Sequence, residues 1–163
     1  MEITQTEFED KVHALQECSY FSELSTEILD ELAQGTRLTR YERGEIIVWQ
    51  DEPSAGLFIL YRGSVKLFKL SPQGRELIVN IFREGDSFNE VPVFDGGPNP
   101  VNVAALEECA LWLIDSDIIR KAMARHPEMS QAVVLNLSKN LRKLVHVIEE
   151  LSFYQVTNRL ARL

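Results

Sequence analysis

The groups in this chain that could do chemistry are few: three histidines (His13, His126 and His146), two cysteines (Cys18 and Cys109) and 25 carboxylates. The cysteines are far apart in sequence and supply neither a disulfide framework nor zinc or iron–sulfur ligand spacing. No two histidines form the His-x-His pair that metal-dependent β-barrel enzymes use. The sequence lacks G-x-S-x-G, H-E-x-x-H and G-x-x-x-x-G-K-[ST]. No catalytic residue is assigned, and the chain reads as a non-enzyme. With a net charge of -8, most of the carboxylates make a solvated surface, and the polypeptide is a poor match to a phosphate backbone. His146 is the histidine with ligand potential. It lies within Leu144-Val145-His146-Val147-Ile148, so its helical flanks are apolar. His126, directly before Pro127, suits a turn at a helix start, and His13 suits a helix surface. Met123 and Met129 read as core fillers.

These residues must be positioned by a mostly β chain with helices at both ends. The 163 residues are 45% hydrophobic, an ordinary globular balance. The acidic start, Met1-Glu2-Ile3-Thr4, is not a signal peptide, and no apolar run reaches the ~20 residues that span a bilayer. A cytoplasmic protein without membrane contact is expected. Residues 1–36 read as a helical segment, with Ser25 as an N-cap, Ile28, Leu29 and Leu32 on one face, and Gly35 as a stop. Residues 37–115 read as strands: Glu45 to Trp49, Leu57 to Tyr61, Ser64 to Phe68, Leu77 to Phe82, Val101 to Ala105 and Ala110 to Ile114. Glycine and proline turns at Gly44, Pro53, Gly63, Pro72-Gln73-Gly74, Gly85 and Gly96-Gly97-Pro98 separate them. Evenly spaced strands and turns predict an antiparallel roll or jelly-roll rather than βαβ units. Leu77 to Phe82 is apolar on both faces, which suggests a strand of a closed roll that also meets something outside.

Residues 116–152 change period. Asp115-Ser116 can start a short helix, and Pro127-Glu128 a second, long one. Along the long helix Val134, Leu137, Leu141, Leu144, Ile148 and Leu151 are spaced 3, 4, 3, 4, 3, an a/d seam that predicts pairing with a like helix in a homodimer.

Three stretches, in this order, carry a family resemblance. Gly56-Leu57-Phe58-Ile59-Leu60-Tyr61-Arg62-Gly63-Ser64-Val65-Lys66-Leu67 resembles the strand, aromatic-x-Gly, strand hairpin of the CRP/FNR regulators. Arg83-Glu84-Gly85-Asp86-Ser87-Phe88-Asn89-Glu90 is similar to that family's glycine-aspartate turn and acidic cassette residue. Leu151 to Leu163 resembles the hinge and first helix leading to the family's winged helix-turn-helix domain, with residues 153–163 as the hinge and the start of that domain, the rest of which would lie beyond Leu163. The resemblance implies a cyclic-nucleotide-binding-like β-roll, a dimer paired through the long helix, a small-molecule or gas effector, and DNA bound only by the domain that would follow.

The resemblance also implies a pocket formed by Gly85, Asp86, Phe88, Asn89, Glu90, Val91, Pro100, Val101, Leu144 and Val145. In the family a cyclic nucleotide gives its ribose hydroxyl to a glutamate, which Glu90 matches, and its phosphate to an arginine and a small hydroxyl residue. Here Pro100 and Val101 hold those two positions, and Leu144 and Val145 stand where polar residues meet the adenine. A buried phosphate without its countercharge is costly, so the sequence argues against cyclic AMP. Glu90 then reads more readily as a turn acid than as a ligand group. Arg83 has no register that puts it in the pocket. The cassette most resembles the DNR and HcpR branches of the family, which implies haem and a response to nitric oxide or nitrosative stress. His146 is the axial candidate: it lies opposite the seam, which would aim it at the roll. The two cysteines do not suffice for an iron–sulfur cluster, and lone-thiol redox sensing by either remains open beside inert packing. The alternatives are a kinase- or channel-type nucleotide module, a cupin-like enzyme and a regulatory domain without a ligand.

Overall fold

A computed structural model describes residues 5–160, with side chains described from residue 7 to residue 150. The seam position Leu151 and the hinge residues Phe153 to Asn158 lie outside the described side chains. Helix α1 (Gln5–Glu17) and helix α2 (Thr26–Gln34) precede the roll. The strands are β1 (Thr36–Tyr41), β2 (Ile46–Val48), β3 (Gly56–Arg62), β4 (Ser64–Leu70), β5 (Glu76–Arg83), β6 (Ser87–Phe88), β7 (Asn102–Ala105) and β8 (Cys109–Asp115). Helix α3 (Glu90–Asp95) interrupts the strand series, and α4 (Ser116–Arg125) and α5 (Pro127–Leu160) follow it.

All strand pairs are antiparallel, in two four-stranded sheets ordered β1-β8-β3-β6 and β2-β7-β4-β5. This is the roll expected from the sequence, with helices at both ends. Two cores result, and the two-residue period of β3 feeds both. Phe58 and Leu60 point between the sheets, into a cluster with Val48, Val65, Phe88, Val103, Ala105, Leu111 and Leu113. Leu57 and Ile59 point the other way, into a helical cluster with Phe21, Ile28, Leu32, Val93, Ile119, Met129 and Val133. Burial on both faces makes β3 a continuous apolar run, each such side chain contributing roughly 1.5–3 kcal/mol.

The helix boundaries follow local chemistry. Asp115 caps α4 by accepting from Asp117 N at 2.9 Å. Proline opens α5, where its missing N–H is harmless. Ser25 occupies the N-cap of α2 with extended backbone but makes no side-chain cap bond. Gly35 ends α2 at φ -92, so no left-handed turn demands a glycine there. The demand is steric: a Cβ on Gly35 would fall 2.2 Å from Cδ1 of Ile118 in α4.

Three elements were not among the expected runs. Strand β1 mixes Thr36 and Leu38 with Arg37 and Arg40, and it is held by pairing with β8 from Thr36↔Ile114 to Tyr41↔Cys109. Strand β6 has only two residues, and α3 only six. The expectation that β5 belongs to a closed roll is corrected. It is an edge strand bonded to β4 alone, with Leu77, Ile78, Val79 and Ile81 exposed. Of its apolar residues Phe82 packs inward against the cluster between the sheets, and those four face solvent.

Helix α5 carries two stripes. Met129 and Val133 are buried in the helical core, and Asn136 and Asn140 continue that stripe one and two turns on. The second stripe is the expected seam: Val134, Leu137, Leu141, Leu144 and Ile148 are all exposed on the single chain.

Candidate functional site

The glycine-aspartate turn is built by the backbone. Gly85 adopts φ +88, which a side chain would strain, and its N–H donates to the Leu60 carbonyl at 2.8 Å. Asp86 accepts from Arg83 N at 2.8 Å, so its carboxylate closes the turn rather than facing a ligand. Arg83 lines a polar cleft with Arg62, Glu84 and Glu107, apart from the cassette helix. Phe88 is buried between the sheets, stacked on Phe58 at 5.1 Å and on Phe82 at 6.0 Å.

Asn89 then turns the chain into α3. It takes the left-handed conformation at φ 70, and its amide donates to Ser54 Oγ at 3.0 Å and to the Gly56 carbonyl at 3.1 Å. The short polar side chain suits both the conformation and the tie to the start of β3. Glu90 follows and faces the helices. The Tyr20 hydroxyl donates to its Oε1 at 3.2 Å, and the Tyr20 ring meets Phe94 edge-on at 5.3 Å. Burial pushes the Glu90 carboxyl above the ordinary carboxylate range, against the lowering effect of its hydrogen bonds. Burial first, and then the Glu90 charge and hydrogen bond, drive the Tyr20 hydroxyl upward as well.

The remaining pocket candidates are dispersed. Val91 is exposed. Pro100 is exposed, and Val101 packs against the cluster between the sheets. Asn99, between Pro98 and Pro100, is buried and donates to the Trp49 carbonyl at 3.0 Å. Leu144 and Val145 are solvent-exposed on α5 and wall no enclosed pocket in the single chain. The ten candidates are thus spread over the turn, the roll interior, the short helix α3 and its start, the loop before β7 and the exposed face of α5.

His146 does not face the roll. Its side chain is 77% exposed, and Nδ1 lies 3.3 Å from Glu149 Oε2. The turn from the seam to the roll is shorter than the sequence count implies, because Asn136 and Asn140, not His146, occupy the inward stripe. His146 lines a shallow groove with Ser138, Leu141, Arg142 and Val145. His126 pairs with Glu31 Oε2 at 3.0 Å at the α4–α5 elbow, and His13 is exposed, both as expected.

Sequence reasoning missed Tyr20, Asn136 and Asn140. Asn140 Nδ2 donates to the Tyr20 hydroxyl at 3.3 Å, and Asn136 donates to the Ser19 carbonyl. The signal was present in α5: two asparagines four residues apart continue an apolar stripe, a place where polar residues need partners. Both cysteines are buried. Desolvation raises the Cys18 thiol, opposed by hydrogen bonds involving Tyr20 and Ser87, and it pushes Cys109 up to about 11 with help from Glu107 and Glu45. Among the described residues no group of His, Cys, Asp and Glu could hold a metal ion, and no helix is long and apolar enough to cross a membrane.

A roll with this turn, this acidic cassette residue and a long helix behind it defines a class of ligand-responsive regulatory domain. Residues 38–126 match the cyclic nucleotide-binding domain, and the chain belongs to that family, in the form found in CRP/FNR-family regulators. It is 30% identical over 122 residues to a CRP-like cAMP-activated global transcriptional regulator of Mycobacterium tuberculosis, covering 75% of this chain and 54% of that protein. The chain thus spans about half the length of that relative. The sensor domain of the transcriptional regulator DNR from Pseudomonas aeruginosa superposes with a TM-score of 0.73 at 25% identity, over 84% of this chain and 93% of that one. A putative cAMP-binding regulatory protein from Silicibacter pomeroyi matches at TM-score 0.73 and 27% identity, over 87% of this chain and 65% of that one.

Proposed function

We propose that this chain is the effector-sensing and dimerisation part of a DNA-binding transcription regulator, and that its effector is not a cyclic nucleotide. The observation that carries the dimer half of this reading is the exposed stripe from Val134 to Ile148 on a helix continuous with the sensor roll. An exposed apolar stripe at heptad spacing suits a second copy of the same helix. The non-nucleotide half is supported by Pro100 and Val101 at the phosphate positions and by Glu90, whose Oε1 is already engaged by Tyr20.

Haem, responding to nitric oxide, is the specific effector group in this proposal. The residues fit one wall of a haem site. Leu141 and Val145 offer apolar surface, Arg142 a cation for a propionate, and His146 a ring whose Nδ1 is engaged, which leaves coordination to Nε2. When bound, haem supplies an iron that ligates the gas. Because His146 lies opposite the seam, the other wall of such a site would have to come from a part of the protein other than the paired helix. The signal would be a population shift, in which effector binding alters how the paired helices pack and re-aims the DNA-binding part.

Titration with haem, followed by nitric oxide, tests this by absorption spectroscopy, with cyclic AMP titrated calorimetrically in parallel. A saturable Soret band that His146→Ala weakens and nitric oxide shifts is the expected result. An unchanged band in His146→Ala removes that residue as a ligand. Binding of cyclic AMP would favour the second reading, which the name of the Mycobacterium relative suggests, a nucleotide site with an altered pocket.

A further inference from the structure

A polar bridge crosses the molecule from the long helix to the cassette. The Asn140 amide donates to the Tyr20 hydroxyl at 3.3 Å, and that hydroxyl donates to Glu90 Oε1 at 3.2 Å. The three residues come from α5, the α1–α2 connection and α3. The bridge is anchored on both sides. One turn earlier in α5, Asn136 donates to the carbonyl of Ser19, the residue before Tyr20. On the cassette side the Tyr20 ring meets Phe94 at 5.3 Å, four residues along α3 from Glu90. Tyr20 is 2% exposed, so its hydroxyl needs partners, and donating once while accepting once uses it fully.

We propose that Tyr20 is a positioning residue that couples the cassette helix α3 to the dimerisation helix α5, with Glu90 serving as its anchor. Glu90 stands at the position that the family gives to a ligand hydroxyl, but in this chain it accepts a hydrogen bond from the protein's own phenol. An effector that moves α3, or that offers Glu90 a better donor, withdraws the carboxylate from Tyr20. The hydroxyl then turns to Asn140 alone, and the contact locating the middle of α5 changes. No cavity path is needed, since the bridge is three side chains long. Burial raises the Glu90 carboxyl, and its own backbone N–H and then the Tyr20 hydroxyl oppose that rise, so Tyr20 is its side-chain donor. This inference rests on the sensor reading for its purpose only, because the coupling itself is measurable without any effector.

The test is a double-mutant cycle read by amide hydrogen exchange along α5, with exchange in β3 and β8 as an internal reference for global stability. Glu90→Ala does not touch α5, yet it should speed exchange in residues 136–148 by about three- to tenfold, the range for one lost buried hydrogen bond. Tyr20→Phe keeps the ring on Phe94 and should do the same. The double variant should exchange no faster than the faster single variant, and Glu90→Gln, which retains an acceptor, should restore protection. Failure of any haem or nucleotide titration leaves these outcomes untouched. The inference is overturned if Glu90→Ala perturbs only residues 86–95, if the two effects multiply, or if β3 and β8 accelerate equally.

Discussion

Gly56 lies so close to Ile114 that a Cβ built on it would stand 2.0 Å from the Ile114 carbonyl oxygen. The same glycine's carbonyl accepts from the Asn89 amide at 3.1 Å. The start of β3 is therefore pressed onto β8 on one side and tied to the cassette on the other.

This contact predicts a hierarchy among the glycines. Gly56→Ala must push backbone away from backbone and should cost about 3 kcal/mol, the upper part of the usual overpacking range. At Gly35 the obstacle is the Ile118 side chain, whose Cδ1 can swing away, so Gly35→Ala should cost about 1 kcal/mol. Urea unfolding of the two variants gives the order, and a Gly35 variant less stable than the Gly56 variant would contradict it.

The seam proposal makes a prediction about assembly. Leu144 is 59% exposed on the single chain, so Leu144→Asp should leave the fold intact. Across a helix pair it would set like charges in an apolar contact and weaken association by ~100-fold or more. Sedimentation velocity reads this directly. A dimer that survives the substitution would remove Leu144 from the interface.

Glu90 predicts a pH dependence with a definite sign. Its carboxyl is raised in the folded chain, chiefly by burial, so the fold holds that proton more tightly than the unfolded chain does. The contribution of this group to stability is thus largest at acid pH. It is lost as pH rises from the ordinary glutamate range through the raised folded value. Glu90→Gln cannot titrate. The stability of the native chain relative to Glu90→Gln should fall as pH rises across that window and be flat above it, read from urea midpoints at several pH values. A difference that grows with pH would show that the charged form is the one the fold favours.

The thiols offer a separate check. Cys18 and Cys109 are about 1% and 2% exposed, and both thiols are raised, Cys109 to about 11. Since the thiolate is the reacting species, both should alkylate at least ~100-fold more slowly in the native protein at neutral pH than in denaturant. Fast native labelling of Cys18, which lies beside Ser87 and Glu90, would instead support a redox role at the cassette.

Much of the architecture was readable in the residues because the strands that build the two cores are short, apolar and set between turn formers. Leu57 to Tyr61 and Ala110 to Ile114 could be read without knowing their neighbours. Strand β1 could not, because Thr36-Arg37-Leu38-Thr39-Arg40-Tyr41 carries a weak alternation and gains its order from pairing with the distant β8, from Thr36↔Ile114 to Tyr41↔Cys109. The same limit applied to the site. The cassette was recognisable from Gly85 to Glu90, but the direction of the Glu90 carboxylate was not, since its partner lies 70 positions earlier.

The sequence by itself determined the class of domain, the long helix and the presence of Pro100 and Val101 in the segment before β7. These are properties of residue type and local period, which a chain carries with it. Only the tertiary structure decided which stripe of α5 turns inward. Met129, Val133, Asn136 and Asn140 share the 4, 3, 4 spacing of a seam, and a helical period alone does not say which of two adjacent stripes meets the roll. Packing of Met129 and Val133 into the helical core made that choice, and it brought Asn140 to Tyr20 while leaving Leu144 and His146 in solvent.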